Sequence, residues 1–215
     1  KTKDKDALAE FAVLQKIKPV LEEGHSVRSV DLDEDEKKIL KGFFLLTAKP
    51  VLYVANISED DVADPENNHY VKEVMAYAAK ENAEVIAVCA EAEEEIAELD
   101  DDDKAEFLEA LGIEESGLDK LIRAAYDLLG LGTYFTAGVQ EVRAWTFKKG
   151  IKAPQAAGII HSDFERGFIR AETISYEDFD HYGSEKACKE AGKMRSEGKE
   201  YVVQDGDIML FRFNV

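Results

Sequence analysis

The sequence predicts an α/β segment preceded by a helical arm and followed by a smaller α+β module. Three observations carry this. Near the middle, a strand, a helix and a second strand follow one another within about 40 residues, the spacing of a parallel βαβ unit. Beyond residue 131, short strands surround one crossing helix, which is the pattern of a β-grasp sheet. The charge changes at the same point: residues 1–130 carry 15 Lys+Arg against 33 Asp+Glu, and residues 131–215 carry 12 against 13. The predicted divisions are 1–48 for the arm, 49–130 for the α/β segment and 131–215 for the last module.

The arm is expected to hold two helices. The first spans 6–23, with Leu8, Phe11, Ala12, Leu14 and Ile17 on its apolar face, a kink at Pro19 and a stop at Gly24. In the second, Asp33 and Glu36 have capping-box spacing, and Ile39, Leu40 and Phe43 to Leu46 supply the buried side.

The α/β segment opens at Val51 to Ala55, an apolar run of β-formers with Pro50 at its start. Such a run reads as a strand buried on both faces of a parallel sheet. A loop from Asp60 to Asn68 leads to a helix over Tyr70 to Lys80, with Val71, Val74, Met75 and Ala78 inward. Glu84 to Ala90 is the second strand. Glu93 to Asp103 is strongly acidic; within it, Asp100 to Asp103 lacks the glycine and terminal Glu of a calcium loop and reads as charge at the start of a helix over 104–111. Ser116 caps a further helix, with Leu118, Leu121, Ile122, Ala125, Leu128 and Leu129 on one stripe and Gly130 at its end.

In the last module, Val142 to Phe147 alternates as a strand, and Lys148-Lys149-Gly150 reads as a turn. Pro154 opens a helix to Ile160. Phe168 to Ile174 is a strand, and Ser184 to Ala191 a helix. Tyr201 to Gln204 and Ile208 to Phe213 are expected to form a hairpin around Asp205-Gly206-Asp207.

Composition bounds the function classes. Hydrophobic content of 45% supports real cores, and no apolar run approaches the length of a membrane span. Cys89 and Cys188 are too few and too distant for a disulfide framework or a zinc site, so a reducing cytoplasm is expected. The chain opens on Lys1 rather than Met and inside a helical pattern, which reads as a trimmed piece of a longer protein. No G-x-x-x-x-G-K-[ST] stretch occurs; Gly192 to Lys199 has one residue too many and ends on Glu200. The chain alone is therefore expected not to hydrolyse nucleotides.

Two candidate sites follow. Asn56 stands at the carboxyl end of the first strand, where open α/β sheets bind ligands. Its amide carries both donors and an acceptor, enough to read a base edge; the alternative is a cap or turn. Arg143, Lys148, Lys149 and Lys152 lie on one predicted hairpin beside Trp145 and Phe147. Basic residues with aromatics can hold RNA phosphate and stack bases; the alternative is a solvated hairpin with core aromatics. His161, Asp163, Glu165 and Arg166 lack a nucleophile or metal pattern and read as local caps and pairs.

Lys49-Pro-Val-Leu-Tyr-Val-Ala-Asn-Ile-Ser-Glu59 resembles the base-recognition segment of the YchF/Obg-like ATPase family, a branch of the P-loop GTPase-like proteins. Most of that superfamily carries Asn-Lys-x-Asp; the YchF branch carries Asn-x-x-Glu, as do Asn56 to Glu59 here. The match sharpens over Thr133 to Gly138, Glu141 to Thr146, Lys152 to Gly158, His161 to Glu172 and Gln204 to Asn214, which resemble the family's TGS domain, a β-grasp module shared with threonyl-tRNA synthetase and a stringent-response synthetase.

The resemblance implies a partial P-loop NTPase-like nucleotide domain with a helical coiled-coil insertion, plus a TGS domain. It implies base contacts from Asn56, Ile57 and Glu59. It also implies contacts from Cys89 and Ala90, where the superfamily has a Ser-Ala-Lys loop. Cys89 replaces that Ser and Glu91 that Lys; by its residue type alone, Cys89 reads as a buried small hydrophobe. The implied cofactors are ATP, with GTP as the alternative, and Mg²⁺ in the intact protein, none held tightly by this chain alone. The implied partner is the ribosome or RNA, with no membrane. The competing reading is a stand-alone RNA- or ribosome-binding module without a nucleotide role.

Overall fold

The computed structural model describes residues 4–138 and 141–214. Lys1 and Val215, which bound the predicted arm and last module, lie outside the described residues. The chain divides into two compact units, Lys1–Leu128 and Leu129–Val215.

The first unit begins with helix α1, Lys5–Glu22, capped by Asp4 and continuous through Pro19. Its buried residues are Val13 and Ile17, one turn apart. The predicted face is thereby corrected: Leu8, Phe11 and Leu14 stay exposed. The reason is tertiary: Ile39, Leu40, Phe43 and Leu45 pack against the cluster of Val13, Ile17 and Val27. Helix α2, Glu34–Lys41, carries the expected capping box between Asp33 and Glu36. After it, Phe44 takes a left-handed φ of 51°. Phe44 and Leu46 are exposed rather than buried.

Strand β1, Leu52–Asn56, is followed by helix α3, His69–Ala78, and strand β2, Glu84–Val88. Asn68 caps α3 by accepting the Tyr70 and Val71 N–H groups. Val71 and Ala78 are buried in α3, whereas Met75 is exposed. β1 and β2 pair in parallel, Leu52 opposite Glu84 through Asn56 opposite Val88. Among the described residues they form a two-stranded sheet, and Val54 is 51% exposed. The expectation of burial on both faces is therefore not met within this chain.

One carboxylate ties the segment after α1 to this sheet. Glu81 accepts from the Ser26 hydroxyl at 2.7 Å and the Tyr53 hydroxyl at 2.9 Å, with Arg28 Nε at 3.8 Å. The Ser26 bond, then the Tyr53 bond, holds its carboxyl below the usual range.

An unforeseen helix, α4, spans Ala90–Glu98 and takes in the first part of the acidic run. Asp100 then caps α5, Asp101–Ala110, by accepting the Asp103 N–H, so the three acids that follow sit in the favoured first turn. Helix α6, Gly117–Leu129, is capped by Ser116, whose hydroxyl accepts the Asp119 N–H. Its Leu118, Ile122 and Leu129 are exposed.

The second unit is a five-stranded mixed sheet. Its elements are β3 (Leu131–Ala137), β4 (Val142–Lys148), α7 (Ala153–Ile160), α8 (Ser162–Arg166), β5 (Phe168–Ser175), α9 (Tyr176–Tyr182), α10 (Glu185–Glu190), β6 (Arg195–Glu197) and β7 (Asp207–Phe213). The strand order is β4-β3-β7-β5-β6, with β3 and β7 parallel and every other pair antiparallel. Ala153, Ala156 and Ala157 of α7 are fully buried with Tyr134, Phe147, Met209 and Phe211. Small side chains on α7 let it lie close against the sheet. Tyr134 donates its hydroxyl to Ala156 O at 2.9 Å, which satisfies the one polar atom it buries.

The hairpin expected around Asp205-Gly206-Asp207 is corrected. Residues 201–203 bond to 151–153, through Ala153 N–H to Tyr201 O and Val203 N–H to Ile151 O. β7 instead lies between β3 and β5. The Asp207 carboxylate sets this path: it accepts from the Tyr201 hydroxyl, the Gln204 N–H and Arg195. Lys148 is the last residue of β4 rather than part of a turn.

Candidate nucleotide-base and ribosome-facing sites

The base-reading candidates meet at the carboxyl ends of β1 and β2. Ile57 donates its N–H to Val88 O at 3.0 Å, continuing the ladder one step. Asn56 Oδ1 accepts the Ala90 N–H at 3.1 Å, crossing from the end of β1 to the first residue of α4. That bond fixes the amide with its oxygen inward. Its NH₂ group is the part left to donate, and Asn56 is exposed. Cys89 is buried at the cap position of α4 and gives no side-chain cap bond. Asn56, Ile57, Cys89 and Ala90 thus come together. Glu59 is exposed in the turn Glu59–Asp61 that follows.

Sequence reasoning missed the residue that holds this corner. Glu93, one turn into α4, accepts the Gly117 N–H at 2.6 Å and the Leu118 N–H at 3.2 Å. It caps α6 across 24 residues of chain and so anchors the first turn of α4. A Cβ on Gly117 would sit 3.0 Å from Glu93 Oε1 and 3.1 Å from Val88 Cγ1, so glycine permits the approach. The one signal in the sequence was a glycine directly after the Ser116 cap.

The basic candidates are not one patch. Arg143 and Lys148 lie on β4, five residues apart and so on opposite faces. Arg143 sits 4.1 Å over the Trp145 ring and 3.8 Å from Glu141. Trp145 is half-buried against the core and donates Nε1–H to Thr136 Oγ1 at 2.9 Å. Lys149 follows the strand, donating its N–H to Gly130 O. Lys152 precedes α7 and pairs with Glu200. His161, Asp163 and Arg166 make local pairs, as expected.

Comparisons with known proteins place the chain among its relatives. A family model described as YchF-GTPase_C, a protein of unknown function (DUF933), matches residues 131–214. The chain is 64% identical over 215 residues to a Bacillus subtilis protein named ribosome-binding ATPase YchF, covering 100% of this chain and 59% of that protein. It is 57% identical over 212 residues to the protein of the same name in Escherichia coli O157:H7, covering 99% of this chain and 58% of the relative. The solved Schizosaccharomyces pombe YchF GTPase superposes with a TM-score of 0.82 at 37% identity, over 94% of this chain and 53% of that one. A Pyrococcus horikoshii GTP-binding protein shares the fold more distantly, with a TM-score of 0.53 at 18% identity, over 97% of this chain and 70% of that one.

A parallel strand pair with flanking helices and a separate mixed sheet make this a mixed α/β protein of the kind solved for a YchF GTPase. Residues 131–214 belong to the YchF-GTPase_C family, and the chain as a whole is similar to YchF proteins. It spans somewhat under three fifths of the length of the curated relatives named here. Among the described residues, no helix is long and apolar enough to cross a membrane.

Proposed function

We propose that this chain is the base-reading and ribosome-facing portion of a YchF-type ATPase of the cytoplasm. In this reading, residues 49–130 are part of a P-loop NTPase-like nucleotide domain, residues 1–48 belong to its helical insertion, and residues 131–215 are a TGS β-grasp module. The nucleotide is ATP, with Mg²⁺ held by parts of the protein that cradle phosphate. The partner is the ribosome, through its RNA. The relatives' printed name, ribosome-binding ATPase, supports both halves of the reading.

The single observation that carries the nucleotide half is the Asn56–Ala90 bond. With Oδ1 committed, the amide NH₂ suits an acceptor nitrogen on a purine ring. Asn56→Ala in a longer protein with a complete nucleotide site should weaken ATP binding by roughly 1–3 kcal/mol. Calorimetry decides it: unchanged ATP affinity would count against the assignment.

For the ribosome half, Lys148 and Lys149 remain the test pair. Both are exposed, so reversal to Glu should leave folding nearly unchanged. It should weaken co-sedimentation with ribosomes and flatten the salt dependence of what remains. If the folded double variant co-sediments as before at several salt concentrations, those lysines are not the contact.

A further inference from the structure

Arg170 on β5 and Arg212 on β7 stand directly opposite each other across the two strands. Like charges in that position repel. Their neighbours Ala171 and Phe211 point into the core, so both arginines lie on the face turned away from α7. A single carboxylate serves both. Arg212 Nη2 and Nε reach Glu172 Oε2 at 2.8 and 3.3 Å, and Arg170 Nη2 reaches Glu172 Oε1 at 3.2 Å. The hydrogen bond from Arg212 is the chief cause holding the Glu172 carboxyl below its usual range.

The cluster carries two positive charges and one negative. One arginine would neutralise Glu172; the second is surplus. Several other cations of this unit pair one to one, Lys152 with Glu200, Arg166 with Asp163, Lys193 with Asp178 and Lys186 with Glu190. The exposure is also unequal. The arginine side chains are 52% and 51% exposed, and Glu172 is 19% exposed. The carboxylate is sheltered beneath while the guanidiniums are presented. Each guanidinium has five N–H donors in a planar fork suited to a phosphate, and the three bonds to Glu172 use a minority of the ten. Glu185 lines the depression beside Glu172 and Leu210, which bounds the positive patch on that side.

We propose that Arg170 and Arg212 form a clamp for a phosphate of an RNA backbone, with Glu172 as the internal counter-ion that occupies part of both forks and competes with the phosphate for them. This rests on the ribosome-facing reading above and gives that reading a built anion site. The near-neutral charge of residues 131–215 sets no strong long-range repulsion against a phosphate at this patch, while the acidity of residues 1–130 suppresses loose association with RNA.

The test is equilibrium titration of a fluorescent single-stranded RNA 12-mer with this chain at several salt concentrations, beside thermal melts. Arg170→Gln with Arg212→Gln should weaken binding about tenfold at low salt and reduce the slope of log K against log salt by about 1 to 2. Glu172→Gln releases both guanidiniums and should tighten binding by roughly threefold or more. A purely structural triad gives the opposite result for Glu172→Gln: a lower melting temperature with no gain in affinity. If the double variant does not fold, Glu172→Gln and the charge-preserving Arg170→Lys with Arg212→Lys carry the test. The lysine pair should keep the salt slope and lose affinity with the fork. The proposal is overturned if the unaltered chain does not bind the 12-mer, if the folded glutamine pair binds it unchanged, or if Glu172→Gln brings no gain. Capture of a poly-glutamate peptide in place of RNA, with the same arginine dependence, would assign the clamp to an acidic protein segment and equally overturn it. Ribosome co-sedimentation separates this from the broader reading. Co-sedimentation unaffected by the glutamine pair removes the clamp and keeps the ribosome. No co-sedimentation by the unaltered chain removes the ribosome, and the 12-mer still decides the clamp.

Discussion

Asp207→Ala should lower the melting temperature of residues 129–215 by more than about 12 °C. Asp207 is 2% exposed and accepts from the Tyr201 hydroxyl at 2.7 Å, the Gln204 N–H at 2.9 Å and Arg195 at 3.3 Å. Removing the acceptor strands three donors. Breaking a buried charge pair by deleting one partner costs about 3–5 kcal/mol. Arg195 is part-exposed and can rehydrate, which favours the lower end. In a unit of this size each kcal/mol shifts the midpoint by roughly 4–8 °C. The same deletion should release the 201–204 segment, so the Gln204 amide should exchange with solvent much faster. Asp207→Asn keeps the shape and one acceptor oxygen and should fall between the two. A melt within about 4 °C of the unaltered chain, measured by circular dichroism, would falsify this account of the turn.

Gly167→Ala should be nearly as costly for a different reason. An added Cβ would overlap Asn214 O and stand 2.9 Å from Asn214 C, both backbone atoms. Neither strand end can easily give way. Gly167 donates its N–H to Asp163 O and accepts from the Asn214 N–H at 2.9 Å, and Phe168 pairs with Phe213. Overpacking of this kind costs typically 1–3 kcal/mol, and backbone on both sides places this case at the upper end. A chain ending at Phe213 supplies the control. There the glycine-to-alanine difference should shrink to a fraction of its value, and an equal loss in both lengths would locate the strain elsewhere.

What could be read from the sequence was local. The Asp33–Glu36 capping box, the Ser116 cap and the proline-opened α7 are set by residues three or four apart, and all are present. β3 was not foreseen as a strand, although most of its residues lay within a recognised family motif. Gly132 interrupts its pattern, and the strand exists because β4 and β7 flank it. A Cβ at Gly132 would meet Phe147 Cζ at 2.9 Å, so the glycine serves packing that only the folded sheet defines. The Asp205-Gly206-Asp207 turn was correctly seen as a turn, with Gly206 at φ 81°. Its partners were not, because turn chemistry does not say which strands will meet across it. Periodicity likewise showed that α1 has an apolar stripe but not which line of it is covered. At the candidate base-reading corner, Asn56 is legible from its place at a strand end. The cap from Glu93 to Gly117 was not, since nothing local connects residues 24 apart.

The Glu81 junction has a mechanical consequence. Ser26 follows the end of α1 by four residues, and Tyr53 lies on the strand that ends in Asn56. Both hydroxyls bond to the same carboxylate, one to each oxygen. Helix α1, 18 residues long, reaches about 27 Å from this point at the usual rise per residue. Were α1 and the α2 residues packed on it to turn together about this junction, Glu81 would be the fulcrum of a lever. A tilt of about 10° there sweeps the free end of α1 through about 5 Å, by the same helix geometry. In reverse, a load on the far end of α1 would reach β1 through Ser26, Glu81 and Tyr53, three residues from the Asn56 amide.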